Sequence, residues 1–320
     1  MSEATTPVSS IGVPATAAVV SFAGFGDPEV LSLGESAVPA PGPGQVLLRV
    51  RAVGVNPLDW KIRRGYLQAM FPVEFPHVLG LEASGTVAAV GAGVTAWQPG
   101  DEVLGPVLAG YAQYTLAEAA GLVAKPEGLG WESAAALPIA AESAYRALEL
   151  VKAAPGETLL VHAAAGAVGS LVVQLAVANG VRVVGTASEA NHEHLRALGA
   201  VPVSYGEGVF DRVREAAPQG VDAVVDTSGS GVLAGSVELI GGAERVITLA
   251  DPVEAGKAGV RFSGGGDDLR VVEGQAAALE LFRAGTLDLP IRVALPLERA
   301  AAAHELSEQG HGRGKIVLLP

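Results

Sequence analysis

The sequence predicts an α/β chain of two domains, one built on a doubly wound parallel sheet and the other rich in short strands. Three observations support that division. Residues 158–187 read as strand, glycine turn, helix and strand, a unit of about 30 residues. From Thr158 onward, short apolar runs alternate with helical periodicity, the pattern of parallel strands joined by crossover helices. Up to Trp131, strands are punctuated by Gly and Pro with little helical periodicity.

Residues 1–14 are small and polar, with neither a basic nor an apolar segment, and read as a disordered tail rather than a signal peptide. Residues 15–22 and 29–36 form a hairpin around Gly24 to Pro28. Residues 45–55 alternate, with Val46, Leu48, Val50 and Ala52 on one face and Arg49 and Arg51 on the other, as a half-buried antiparallel strand does. Asn56 can cap a short helix with Pro57 at its first position. Strands follow at 81–90, 102–104, 110–114 and 122–126, then helices at 132–137 and 140–150 parted by Pro138.

In the second half, strands fall near 158–163, 181–186, 201–204, 221–226, 244–250 and 258–262. Helices fall near 167–179, 189–198, 208–217, 229–240 and 271–284. Gly264, Gly265 and Gly266 interrupt the alternation as a mobile loop. From Leu287 the chain returns to short strands, a helix at 297–309 and a strand at 315–319, and is expected to rejoin the first domain. The expected domains are therefore 15–137 with 287–320, and 138–286.

Composition narrows the function. Apolar residues make up 49% of the 320 and charged residues 17%, ample for two cores, and a net charge of −13 argues against nucleic acid or an anionic membrane as partner. With no cysteine there is no disulfide, thiol nucleophile or thiolate metal site. The apolar stretch 159–178 is interrupted by His162, Gly166, Gly169, Ser170 and Gln174, which argues against a membrane span. A cytoplasmic location is the default expectation.

The glycine turn reads Ala164-x-Gly166-x-x-Gly169. Gly166 lacks a Cβ, so a pyrophosphate can approach the backbone. Gly169 lets the helix lie close to the strand. The amides of Ala167, Val168 and Gly169 open the helix and carry the positive end of its dipole. The first glycine of the usual fingerprint is Ala164 here, so the pattern is a variant. Its place between a strand and a helix gives it weight.

The order of parts resembles the medium-chain dehydrogenase/reductase superfamily, in its zinc-free quinone oxidoreductase (zeta-crystallin-like) branch. The matching stretches are Gly54-Val55-Asn56-Pro57-Leu58-Asp59, Gly80-Leu81-Glu82-Ala83-Ser84-Gly85, Pro99-Gly100-Asp101-Glu102-Val103, Ala135-Ala136-Leu137-Pro138, His162 to Gly169 and Gly312-Arg313-Gly314-Lys315-Ile316-Val317. The resemblance covers the chain from about Ala17 to Leu319. It implies a GroES-like β-rich catalytic domain, a Rossmann domain and hydride transfer from NADPH. Zinc members place a Cys near Asn56 and a His-Glu pair where this chain has Gly80-Leu81-Glu82. With those ligands absent and six scattered histidines, no metal is expected.

Reduction of a quinone or an α,β-unsaturated carbonyl is then the expected reaction. The anion formed by hydride transfer needs hydrogen-bond donors and a proton. The resemblance points to Asn56 as the side chain at the nicotinamide and substrate pocket. A pocket Tyr of the family falls on Leu67, which leaves the adjacent Tyr66 as a candidate proton donor, with water as the alternative. Asp59 and Lys61 either hydrogen-bond substrate or form a solvated pair on the short helix.

NAD enzymes carry an acid after the second strand for the ribose hydroxyl. Here Gly185-Thr186-Ala187-Ser188 stands in its place, with Glu189 one step later, which permits a 2′-phosphate and favours NADPH. Ser188, Asn191 and His192 are the donors available, although no Lys or Arg lies at 189–191. Ser188 also suits a helix N-cap. The resemblance places Tyr205 near the adenosine phosphate, and Ser143 near the nicotinamide. Thr248 and Leu249, at a strand end, are expected to pass the nicotinamide ring. Lys315 either reaches the cofactor or sits on the closing strand. The resemblance implies a homodimer and a small-molecule substrate. An enoyl-thioester reductase of the same fold, and a crystallin-like NADPH-binding protein without turnover, remain the alternatives.

Overall fold

The computed structural model describes residues 12–266, 269–310 and 312–320. The expected tail, 1–14, lies outside the described residues up to Ile11. Val13 packs against Leu47, Ala88 and Ala89, so ordered chain begins before residue 15. The described residues form two compact units. Among the described residues one takes 12–139, 291–310 and 315–320, the other 140–266, 269–290 and 312–314. The chain has a GroES-like unit and a Rossmann-like parallel-sheet unit.

The first unit runs β1 (Thr16–Phe22), β2 (Ser32–Ala37), β3 (Gln45–Val55), α1 (Pro57–Arg63), β4 (His77–Val78), β5 (Glu82–Val90), β6 (Glu102–Pro106), β7 (Tyr114–Glu118), β8 (Val123–Ala124) and α2 (Trp131–Ala136). The next helix, α3 (Pro138–Val151), leads into the second unit. There follow β9 (Thr158–His162), α4 (Ala167–Ala178), β10 (Arg182–Ala187), α5 (His192–Ala197), β11 (Val201–Ser204), α6 (Val209–Ala216), β12 (Ala223–Asp226), α7 (Leu233–Ile240), β13 (Val246–Thr248), α8 (Pro252–Ala258), β14 (Arg261–Phe262) and α9 (Val271–Arg283). The chain then returns to the first unit with β15 (Ile291–Pro296), α10 (Ala300–Gln309) and β16 (Lys315–Leu319).

In the first unit the main sheet has the order β15-β16-β3-β5-β6-β8, with β7 also paired to β3. The alternation read in β3 is real: Val46, Leu48, Val50 and Ala52 are buried, while Arg49 and Arg51 face outward. Two local readings are corrected. The strand expected at 110–114 starts only at Tyr114, because the amides of Gly110 and Tyr111 donate instead to the carbonyls of Gly80 (2.8 Å) and Leu79 (2.9 Å). The strand expected from residue 29 starts at Ser32, since Pro28 opens a single 3-10 turn.

In the second unit six parallel strands take the order β11-β10-β9-β12-β13-β14. β9 is buried along its whole length, with the apolar residues Leu159, Leu160 and Val161 at its centre. The order reverses direction beside β9, so the crevice at its carboxyl end is the place where such sheets bind ligands. One helix went unread, α8. Its signals are ordinary: the Asp251 carboxylate caps the amides of Val253 (2.8 Å) and Glu254 (2.9 Å), Pro252 opens it, and Gly259 closes it at φ 66°.

Candidate active site and cofactor turn

β9 delivers the chain to the glycine turn. Ala163 takes a left-handed backbone (φ 57°), a conformation that costs a residue with a Cβ on the order of 1 kcal/mol. Gly166 is the N-cap of α4. The two glycines differ in what surrounds them. A Cβ on Gly166 would meet only the Ala163 carbonyl oxygen, at 3.4 Å. A Cβ on Gly169 would collide with that same oxygen and lie 2.9 Å from the Ala164 Cα. Gly169 is thus a packing glycine, and Gly166 leaves open backbone at a helix N-terminus. Ala167 and Val168 are partly exposed in the first turn. That is the arrangement a pyrophosphate fits.

Beneath the turn lies a buried polar web. His162 contacts the Ser236 hydroxyl through Nε2 (3.1 Å) and the Thr186 hydroxyl through Nδ1 (3.3 Å). Burial drives its pKa down to about 4, against the opposing charge of Asp226, so the ring is neutral near pH 7. Asp226 ends β12 and accepts hydrogen bonds from the Ser228 amide (2.8 Å), the Ser228 hydroxyl (2.6 Å) and the Thr248 hydroxyl (2.8 Å). Thr248 is fully buried and its hydroxyl is committed there. The half-buried Leu249 follows it, its amide held by the Asp226 carbonyl (2.9 Å).

At the ends of β10 and β11, Asn191 donates to the Ser188 hydroxyl (3.0 Å), and both side chains are partly exposed. Tyr205 is 58% exposed. A cation missed by the sequence reading stands here. The Arg212 guanidinium donates to the carbonyls of Ser204 (2.9 Å from Nη2) and Glu207 (2.8 Å from Nη1). It lies on α6, well after the positions 189–191 where a cation was sought. Ser143, on α3, leans its hydroxyl on Glu142 (3.4 Å), which is itself paired with Arg146.

In the first unit, strand register assembles a second cluster. β16 runs antiparallel to β3 with Ile316 opposite Val55, and β3 runs antiparallel to β5 with Val53 opposite Ala83. The three strands thereby bring Lys315, Asn56 and Glu82 together. Glu82 Oε1 accepts from Asn56 Nδ2 (2.8 Å) and from the Lys315 ammonium, and its Oε2 accepts from the Ile139 amide (2.7 Å). Lys315 also donates to Asn56 Oδ1 (2.7 Å). Glu82 is 0% exposed, Lys315 4% and Asn56 7%. Gly54 makes room: a Cβ there would lie 2.7 Å from the Glu82 Cδ. Lys315, expected either at the cofactor or merely on the closing strand, has two of its three N–H groups engaged in this cluster.

Below it, Asp59 accepts the Asn56 amide (2.8 Å) and the Tyr111 hydroxyl (3.3 Å). Asp59 is wholly buried, so the reading of a solvated Asp59–Lys61 pair is corrected; Lys61 lies over the Trp60 ring at 5.8 Å instead. Burial raises the Asp59 carboxyl to about 6, the Asn56 amide and the Lys315 charge working against that rise. The Tyr111 hydroxyl also meets His304 Nε2 (3.0 Å), and burial pushes that imidazole down to about 3. Tyr66 is 67% exposed and stacks edge-on against Trp60.

A catalytic zinc does not fit these residues. The chain has no cysteine, Leu81 stands where zinc relatives carry a histidine, and both Glu82 oxygens are taken by protein donors. Among the described residues no group of three or more His, Asp or Glu could hold a metal. The open backbone at Gly166 and the α4 amides, by contrast, fit a dinucleotide.

Comparison with known proteins places the chain in a family. Residues 42–155 match the alcohol dehydrogenase GroES-like domain, and residues 198–318 the zinc-binding dehydrogenase domain. The chain is 34% identical over 318 residues to a quinone oxidoreductase of Lama guanicoe, covering 92% of this chain and 95% of that one. It is 35% identical to a 2-methylene-furan-3-one reductase of Solanum lycopersicum, spanning 64% of that protein and 75% of this chain. It is also 35% identical to a pikromycin polyketide synthase component of Streptomyces venezuelae, of which it spans only 8%, with 89% of this chain covered. Among solved structures, a quinone oxidoreductase of Coxiella burnetii superposes with a TM-score of 0.83 at 32% identity, covering 95% of this chain and 99% of the other. A mycobacterial protein solved in complex with NADPH gives 0.81 at 31% identity, covering 95% and 100%. The chain belongs to the medium-chain dehydrogenase/reductase superfamily, on its quinone oxidoreductase side. It is an oxidoreductase of the kind that binds a nicotinamide cofactor.

Proposed function

We propose that this oxidoreductase uses NADPH, without zinc, to reduce quinones or α,β-unsaturated carbonyls. The observation that carries the reading is that one unit holds an open Gly166 turn and the other a buried, oriented Asn56 amide. When bound, the cofactor supplies a hydride to the electrophilic carbon or quinone of the acceptor. Gly166 and the amides of Ala167, Val168 and Gly169 hold its pyrophosphate. Ser188, Asn191 and Tyr205 receive the adenosine 2′-phosphate, with the Arg212 charge nearby and no carboxylate at 187 or 188 to repel it. The nicotinamide end is met by Ser143 and by the backbone at Thr248 and Leu249. Asn56 donates to the acceptor oxygen as negative charge develops there. Asp59 anchors the start of α1 through the Asn56 amide. Water supplies the proton, with the exposed Tyr66 as the competing donor.

The acceptors are small molecules, and the protein acts as a cytoplasmic homodimer. No helix among the described residues is long and apolar enough to cross a membrane. The test is steady-state oxidation of NADPH, with NADH as control, against benzoquinone and cyclohexenone in the presence of EDTA. Turnover with NADPH in EDTA is expected. Binding of NADPH without turnover of either acceptor would shift the assignment to a thioester substrate or to a non-catalytic binding protein.

A further inference from the structure

We infer that Lys315 and Glu82 are positioning residues that fix which way the Asn56 carboxamide faces, and thereby present its remaining N–H to the acceptor oxygen. This rests on the reductase reading above.

An asparagine side chain can usually rotate by half a turn and exchange its oxygen for its nitrogen at little cost. Here it cannot. An ammonium only donates, so the atom facing Lys315 Nζ at 2.7 Å must be Oδ1. An ionised carboxylate only accepts, so the atom facing Glu82 Oε1 at 2.8 Å must be Nδ2. The two charges also bind each other, and the second Glu82 oxygen is held by the Ile139 amide, so neither is free to turn away. All three side chains are less than a tenth exposed.

Nδ2 carries two hydrogens. One goes to Glu82, and the other has no partner among the described residues. An ammonium on the amide oxygen draws electron density from the nitrogen and makes that free N–H a better donor. A donor held in place before charge develops needs no reorganisation at the moment of reaction. Gly54 belongs to the same device, because the Glu82 carboxylate lies against its bare Cα.

The test compares Glu82→Gln, Lys315→Met and the double variant with the parent protein. In either single variant the remaining charge still selects one atom of the Asn56 amide, whereas in the double variant neither charge remains and the orientation of Asn56 is no longer dictated. Expected for the double variant is a fall in kcat and kcat/KM with benzoquinone of about 10- to 100-fold, less than the loss of a whole oxyanion donor, with a smaller fall in Glu82→Gln and the NADPH dissociation constant unchanged in both. Lys315→Met leaves a buried unpaired carboxylate and will lower the melting temperature. The double variant removes both charges and should recover that stability while kcat stays low, a split that a merely structural role would not produce. Selective labelling of asparagine amides gives a second reading: the Asn56 side-chain resonance, identified by its loss in Asn56→Asp, should shift in each variant. If kcat in the folded double variant stays within twofold of the parent, the positioning role is overturned while the reductase reading stands. If the parent itself oxidises NADPH with neither acceptor, the reductase reading falls and the positioning role with it.

Discussion

At the carboxyl end of β9 side chains are missing, whereas between β16, β3 and β5 they are packed into a space without solvent. The Gly166 turn offers bare backbone and a helix terminus, and its only crowded neighbour is the Ala163 carbonyl. The Asn56 cluster offers an amide whose oxygen and nitrogen are each assigned by a charged partner. The first arrangement suits a ligand that brings its own charge and needs amides. The second suits a reaction in which charge appears only in passing and must find a donor already aimed. The lesson is that an absent Cβ and a buried ion pair can serve the same end, a polar group fixed in advance of its partner.

The comparison breaks most readily at the turn. Gly166→Asp should weaken NADPH binding by more than about 100-fold, through bulk and repulsion of the pyrophosphate, with the melting temperature nearly unchanged. Fluorescence titration measures it, and parent-like affinity would remove the turn from the cofactor site. Gly169→Ala should do the reverse. Its methyl meets backbone that cannot give, so stability should fall by about 2 kcal/mol, with any binding loss following from unfolding; chemical denaturation separates the two.

In the cluster, pH sharpens the contrast. The Asp59 carboxyl, at 3.8 unfolded and about 6 folded, binds its proton more tightly when folded. Its contribution is therefore full below pH 3.8 and lost as pH rises through 6. Asp59→Asn, which has no charge to bury, should gain on the parent between these values and hold a lead on the order of 3 kcal/mol above pH 6. Thermal melts from acid to neutral pH read this directly, and a pH-independent difference would contradict it. His304 acts on the acid side. Its imidazole falls from 6.5 to about 3, so the parent should lose stability as pH drops below 6.5, and His304→Gln should lose less. The smallest effect is expected for Tyr66→Phe, which should change kcat by less than about twofold if water supplies the proton; a tenfold loss would make Tyr66 the donor.

Much of this was legible in the chain. The apolar run 159–161 of β9, the glycine spacing and the β-branched run of β10 specify the parallel unit locally. The alternation of β3 specifies its buried face. What the pattern did not carry were long-range encounters. Lys315 shows no local sign that it will meet Glu82, because strand register decides that, and β16 reaches β3 from the far end of the chain. Arg212 went unseen for a similar reason: the cation was sought beside Ser188, while the fold supplies one from α6. Tyr111 was read into a strand because aromatic, alternating residues favour one, yet Gly80 and Leu79 claim the amides of that segment. Helix α8 was written plainly in Asp251, Pro252 and Gly259 and was overlooked among shorter strands.

Lys315 and Asn56 are separated by 259 residues. Everything between β3 and β16, the whole parallel-sheet unit included, must be synthesised before the ammonium can reach the amide. Closing so long a loop would be entropically costly for an unfolded chain, and it becomes cheap only once the intervening unit has folded and drawn its own ends together. The orientation of Asn56 is accordingly among the last features acquired during synthesis. A nascent chain that has emerged only as far as β14 holds Glu82 without its cation, so the Glu82–Lys315 pair forms only once the fold is completed.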